Sequence, residues 1–281
     1  VTVTQGAVST NGQVGVRATG GVLRASNVSI SSNNGRGVWL DGGASATLSA
    51  VAVDANAGPN GFGIVGNGAV LSLANSSLRG NAAGGMVLTT TTGFVTNTQV
   101  LTNTGNGIQI AGGVFNLVDS WVQFNTAHAV ELRAGANATL LRNFLRYNGF
   151  AGLASGLDGV PSTTYARSNH IYGNGGSGAN DLGLGVMDAR GNWWGTNTPT
   201  WFGGSPRDIS GTVNITPWIV LQLSPAQATI PVGTGSTDIA ITMKDGSGNN
   251  ALDGTTVNLT TTLGSIGTPG SSSTSRLTSG G

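Results

Sequence analysis

The sequence predicts an all-β chain built mostly as a parallel solenoid, and three observations predict it. An Asn recurs every 22 to 26 residues from Asn11 to Asn174. A large aliphatic residue stands three places before each such Asn, and in all but one copy a Gly or Ala stands four places after it. Helix-favouring residues are scarce: among 281 residues there are 48 Gly, but Glu131 is the only Glu and Lys244 the only Lys. Strand and turn formers (Val, Ile, Thr, Asn, Gly) take their place.

The recurring Asn residues are Asn11, Asn33, Asn56, Asn81, Asn103, Asn125, Asn148 and Asn174. The aliphatic column before them is Val8, Ile30, Val53, Leu78, Val100, Val122, Leu145 and Ile171. The column after them is Gly15, Gly37, Gly85, Gly107, Ala129, Gly152 and Gly178, interrupted after Asn56 by an insertion around Pro59-Asn60 that resumes at Gly63. Alternating inward positions follow, as in Ile108-Gln109-Ile110. A short period filled by strands and Gly/Asn turns is a solenoid signature. It leaves no room for helices, so the economical fold is a right-handed parallel β-helix with rungs about 4.8 Å apart. The Asn column is expected to form a ladder of side-chain amides bonded to one another and to turn backbone. The Gly column is expected where the chain bends through positive φ. One outward row reads Arg17, Trp39, Val65, Val87, Gln109 and Glu131. Trp39 there fits packing under a loop as well as it fits binding.

Composition removes several classes. Only 8% of residues are charged and the net charge is +1, so no Lys/Arg cluster is available to neutralise a nucleic acid. Apolar residues make up 38%, which argues against disorder. The glycines have no three-residue period, which excludes collagen. No apolar run approaches the roughly 18 residues of a membrane span. There is no Cys, hence no disulfide scaffold. His128 and His170 lie too far apart for a zinc cluster of ordinary spacing. The chain opens at Val1 without a signal segment and reads as a piece of a longer precursor.

The irregular stretch 149–190 interrupts the period and gathers Asp158, Arg167, His170, Asp181, Asp188 and Arg190. Long loops on regular scaffolds often carry function. Asp158, Asp181 and Asp188 with Arg167 are therefore the candidate catalytic set for acid–base work on a sugar, provided they converge within about 10 Å. Against this, Asp181 and Asp188 sit in turn-like contexts where Asp bonds its own backbone, and His170 reads as a core-edge histidine. Elsewhere carboxylates are scattered: Asp41 and Asp54 flank different turns, and Asp119 and Glu131 show no stacked partner. No metal ligand set is visible. Calcium could sit at an Asp-rich turn such as 245–250 (DGSGNN), where a solvated hairpin turn is the plainer reading. Asn-x-Ser/Thr occurs at Asn27, Asn75, Asn137, Asn214 and Asn258, meaningful only in a host that glycosylates such sites.

After Asn174 the period fails. The segment Asn192-Trp193-Trp194-Gly195, a polar loop, then Val213-Asn214-Ile215-Thr216-Pro217-Trp218 resembles the closing rung of β-helix repeat proteins of the pectin-lyase-like superfamily. Many of those are bacterial surface and secreted proteins. Trp193, Trp194 and Trp218 are then cap residues over the open end of the core, with sugar stacking as the sharper alternative. From Leu221 the texture changes to alternating strands at Ala228–Ile230, Asp238–Thr242 and Thr256–Thr260, separated by Asp-Gly turns. This stretch resembles bacterial immunoglobulin-like domains of the invasin and intimin type. Residues 1–220 are thus expected to form the β-helix and 221–281 an immunoglobulin-like β-sandwich. The 61 residues at hand fall short of the about 100 that such a sandwich uses, as in an excerpt. Alternatively, a neighbouring copy completes it by strand addition, with Val1–Thr4 as donor.

Together these features predict an extracellular, cell-surface structural or adhesive protein. A rigid rod would be displayed on immunoglobulin-like spacers, with itself, other surface proteins or glycans as partners and self-assembly into a layer or filament in view. The other reading is a polysaccharide-active lyase or hydrolase, or a carbohydrate-binding module. The sequence leans away from catalysis, since nothing matches a lyase motif residue by residue. It calls for no cofactor beyond the optional calcium.

Overall fold

The computed structural model describes residues 1–183, 185–200, 207–231, 233 and 235–279. Among them there is no helix; 27 strands account for the regular structure. The first 23 stack as one parallel β-helix with three faces per turn.

The first face stacks Val16–Thr19, Val38–Asp41, Phe62–Asn67, the opening halves of Gly84–Thr96 and Ile108–Val118, then Val130–Arg133, Leu153–Ser155, Ser177–Asp181 and Arg207–Gly211. The second face runs from the opening half of Thr2–Ser9 through Ser45–Ser49, Val70–Ala74, Asn137–Leu141 and Thr163–Arg167 to Val186–Asp188 and Val213–Asn214. The third face is short-stranded: Ala52–Asp54, Ser77–Arg79, Gln99–Leu101, Trp121–Gln123, Phe144–Arg146 and His170–Tyr172, with Trp193 bridging to His170. Its middle residue points inward. Val53, Leu78, Val100, Val122, Leu145 and Ile171 are all fully buried.

Each corner beside the third face is turned by one left-handed residue. At the corner leading into the first face these are Thr10, Ser32, Ala55, Gly80, Thr102, Phe124, Tyr147 and Gly173, each immediately before a ladder Asn. The glycine column, expected to supply positive φ, does not: Gly15, Gly37, Gly63, Gly85, Gly107, Gly152 and Gly178 are absent from the left-handed set. Their constraint is contact with the next rung. A Cβ on Gly37 would meet Val53 Cγ1 at 2.4 Å, and one on Gly107 would meet Val122 Cγ1 at 2.4 Å. On Gly85 it would meet Val100 Cγ1 and the Gly107 carbonyl oxygen, each at 2.5 Å. Ala129 is tolerated where the next aliphatic residue is Leu145, which carries no branch at Cβ.

Beyond the helix the expected sandwich is not seen. Val220–Pro225 pairs antiparallel with Ile239–Lys244, and Thr256–Thr260 with Ser273–Leu277, as two separate two-stranded ribbons. The strand expected at 228–230 does not form; that stretch is exposed and unpaired, while the chain just before it bonds Asp238 and Thr237 through the amides of Ala226 and Gln227. The ribbons rest on the end of the helix through an apolar cluster of Trp193, Ile219, Met243, Ala251 and Val257. This cluster straddles the boundary expected at residue 220.

Candidate functional site

The outward positions of the third face change character along the axis. One column reads Ser77, Gln99, Trp121, Phe144, His170 and Trp193. Trp121 and Phe144 stack with ring centroids 5.9 Å apart and planes 4° from parallel, and His170 meets Phe144 edge-on at 4.9 Å. The upper two members are covered: His170 is fully buried and Trp193 nearly so, beneath the C-terminal ribbons. The lower two are not. They floor a cleft of about 510 Å³ lined also by Asp119, Arg142, Ser168 and the segment Asn250, Ala251, Leu252 and Asp253. That size suits a small ligand or a few sugar units.

The cleft edge is polar and charge-paired. Arg142 donates to Asp119 through Nε and Nη2, both at 2.7 Å, in a two-pronged bond across one rung. This bonding raises the Arg142 pKa. Asp119 and Arg142 both occupy left-handed corner positions (φ 50° and 54°), which throw side chains outward. The pair is about half exposed, so it adds little to stability. It does set a fixed planar array of donors and acceptors beside an aromatic floor.

On the other flank Arg146 lies 5.0, 5.6 and 5.7 Å from the ring centres of Phe144, Tyr147 and Tyr172, and bonds the Tyr172 hydroxyl at 2.7 Å. Phe124 and Tyr147 stack at 5.5 Å, both exposed. They hold the left-handed corner position (φ 57° and 59°) that earlier rungs give to Thr, Ser, Ala or Gly. A bulky residue there costs about 1–2 kcal/mol. Both rings stay about half exposed and pack mainly on neighbouring rings rather than on the core, so the strain points to a use outside the fold. The aromatic surface thus extends across two consecutive rungs.

The residues singled out from sequence fall as follows. From Asn11 to Asn148 each ladder amide donates through Nδ2 to the Oδ1 of the next Asn, at 2.7–3.1 Å. The same oxygen also accepts the preceding Asn's backbone N–H. The ladder ends at Asn174, which bonds the Leu145 carbonyl. Trp194 takes the place above Ile171 and seals the core, its ring against Gly178. Trp218 is half-buried against the same core and donates to the Asn197 carbonyl. The polar loop between Gly195 and Val213 includes 201–206, which lie outside the described residues. The Trp39 ring is covered by the Arg17 and Arg36 guanidinium groups, 3.9 and 4.4 Å from its centre.

The four residues of the candidate catalytic set do not face one groove. Asp158 is exposed and ties its loop to the preceding rung, accepting from the Ala134 amide there and from the Val160 amide of its own loop. Asp181 follows Leu132 and Ser155 on the inward column of the first face and is buried in the tube. Asp188 is on the outer side of the second face. Arg190 and Arg167 bracket it, and bonding to Arg190 first, then to Arg167, pulls its carboxyl down to about 2. Asp119 and Glu131 do have partners on adjacent rungs: Arg142 for the first and Asn106 for the second, which Arg133 also holds. At Asp245 both carboxyl oxygens are taken by turn donors, from Ser247 and Asn249.

Sequence reading missed the cleft, although a signal existed. Trp121, Phe144 and His170 each stand four residues before a ladder Asn. A second ladder was also overlooked: Ser120, Asn143, Asn169 and Asn192 bond in series, hidden because its earlier members are Ser76 and Thr98. In comparison with known proteins, a family model described as a right handed beta helix region matches residues 12–185. No curated protein and no solved structure matches the chain.

Proposed function

The chain belongs to the right-handed β-helix family, and from that premise we propose that it is an extracellular adhesive scaffold that grips a surface glycan. The observation that carries this reading is the half-buried, stacked Trp121–Phe144 floor of the cleft beside the Asp119–Arg142 pair. One face of a pyranose ring carries weakly polarised C–H bonds that pack on an electron-rich ring, while its hydroxyls need a fixed array of donors and acceptors at the edge. Both are provided side by side. The rigidity suits display: the rungs are locked by amide ladders at two corners, so the aromatic rings keep their spacing without a ligand.

Two resemblances support the setting. The Asn192–Gly195 segment resembles closing rungs of pectin-lyase-like surface and secreted proteins, and residues 221–281 resemble invasin-type immunoglobulin-like spacers. We read the two ribbons as belonging to such a spacer, packed so as to wall the cleft. Association with copies of itself in a layer or filament belongs to the same reading. The lyase or hydrolase alternative draws no support from the positions of Asp158, Asp181 and Asp188.

Affinity electrophoresis through a panel of neutral and acidic polysaccharides tests the proposal, with light scattering on the same samples. At least one glycan should retard the protein, Trp121→Ala and Phe144→Ala should lose the retardation, and no new sugar ends should appear. Release of new ends, or retardation that both variants retain, would overturn it.

A further inference from the structure

The interior of the tube turns polar at one corner near its end. Along the first face the last inward position reads Ala18, Leu40, Gly66, Leu88, Ile110 and Leu132, then Ser155 and Asp181. At the adjoining corner, buried Ala136 gives way to Ser162 one rung on. Where the second face begins, Phe115 and Ala138 give way to Thr164. Ser155, Ser162 and Thr164 therefore meet at one corner of one rung, and Asp181 stands over Ser155 on the next.

All four are at most 2% exposed. Ser162 Oγ and Thr164 Oγ1 have no hydrogen-bond partner in the protein, and Ser155 Oγ and Asp181 Oδ2 make no bond of normal geometry, although the Ser155 hydroxyl stands near enough to favour the Asp181 carboxylate. Asp181 Oδ1 accepts only a long bond, 3.3 Å, from the Gly183 amide. Thr91, at the same corner three rungs earlier, shows the ordinary solution: its hydroxyl turns back to the Thr89 carbonyl at 2.9 Å. Buried polar groups without partners are rare because each loses its hydration for nothing. No ion pair reaches Asp181 among the described residues. Burial raises the Asp181 pKa, so this carboxyl is held either as the neutral acid or as an anion beside a counter-charge, and the three unsatisfied hydroxyls around it favour the second.

We propose that this corner is an internal site for one small, hard cation, held by the Asp181 carboxylate and the hydroxyls of Ser155, Ser162 and Thr164. All four donors are oxygen, the ligand chemistry of sodium and calcium rather than of softer metals. The site lies inside the wall, apart from the aromatic cleft and from the Asp245 turn, and does not depend on the glycan reading.

The test begins with protein dialysed against a chelator in choline chloride. Thermal midpoints are then compared in choline, sodium and calcium chloride at matched ionic strength. Sodium or calcium should raise the midpoint by several degrees, and which of them does so identifies the ion. Asp181→Asn should abolish the response, Ser162→Ala should weaken the apparent affinity severalfold, and Asp245→Ala should leave it intact. Equal midpoints in all three salts would overturn the proposal, as would a response that Asp181→Asn retains or Asp245→Ala removes. If Asp181→Asn does not fold, equilibrium dialysis of the unaltered protein against labelled sodium and calcium decides. One ion bound per chain, weakened in Ser162→Ala, supports the site, and no bound ion refutes it.

Discussion

Acidification from about pH 7 to pH 5 should loosen the seat of the C-terminal ribbons, because His170 cannot take up a proton where it sits. Its Nε2 lies 3.1 Å from Thr255 Oγ1. The Thr255 hydroxyl gives its own proton to the Leu252 carbonyl at 2.7 Å, so His170 is the donor and is held as the neutral Nε2–H tautomer. Burial, and secondarily the nearby Arg146 guanidinium, push its pKa from 6.5 to about 3. The unfolded chain binds a proton below pH 6.5 and the folded chain does not until about pH 3. Stability therefore rises with pH across that window and is lost as pH falls through it. The slope is about 1.36 kcal/mol per pH unit, so about 2 kcal/mol is gone at pH 5. The loss should concentrate where the imidazole meets the ribbons.

Denaturant midpoints measured at half-unit pH steps give the global slope, and hydrogen exchange over 252–259 gives the local one. Replacing His170 with Phe removes the titrating group but keeps a ring beside Phe144. The difference in slope between the two proteins isolates His170 from His128, whose pKa burial also lowers. Parallel pH profiles for wild type and His170→Phe between pH 6.5 and 4 would refute the reasoning.

Three further outcomes follow from the packing. Asn103→Ala removes the acceptor of the Asn81 amides and a donor to Leu78 and Asn125; it should cost about 3–5 kcal/mol at roughly 1–3 kcal/mol per stranded group, read by chemical denaturation. Gly107→Ala should destabilise by about 1–3 kcal/mol through the Val122 clash, and Val122→Leu should recover part of that loss in a double-mutant cycle, as Ala129 under Leu145 implies. Asp188 has its carboxyl at about 2 against 3.8 for the free group; its contribution, about 1 kcal/mol once solvent screening of the half-exposed arginines is allowed for, is present above pH 3.8 and disappears toward pH 2, and Asp188→Asn should flatten the acid limb of the stability profile.

The solenoid was legible because its constraint repeats. Each rung needs an aliphatic residue inside and an amide at the corner, so Asn33, Asn56 and the rest recur at one spacing. The reason for the glycine column was not legible: what a Cβ would strike belongs to the next rung, some 15 residues later in sequence, as Val122 does to Gly107. The second ladder was obscured because Ser76, Thr98 and Ser120 fill the same hydrogen-bonding place as Asn143. Asp181 was visible as a carboxylate but not as an inward one, since the irregular spacing after Asn148 hides the register that sets it above Ser155. The cleft depends on a contact no local pattern records. His170 and Thr255 are 85 positions apart, and their meeting decides which members of the aromatic column stay uncovered.

Saturation-transfer NMR on a glycan that retards the protein most directly tests the central claim, that Trp121 and Phe144 hold a sugar. Irradiating aromatic protons should pass magnetisation to ring protons on one face of the bound sugar, and the transfer should vanish in Trp121→Ala. Transfer of unchanged pattern and strength in that variant would place the ligand elsewhere and contradict the account.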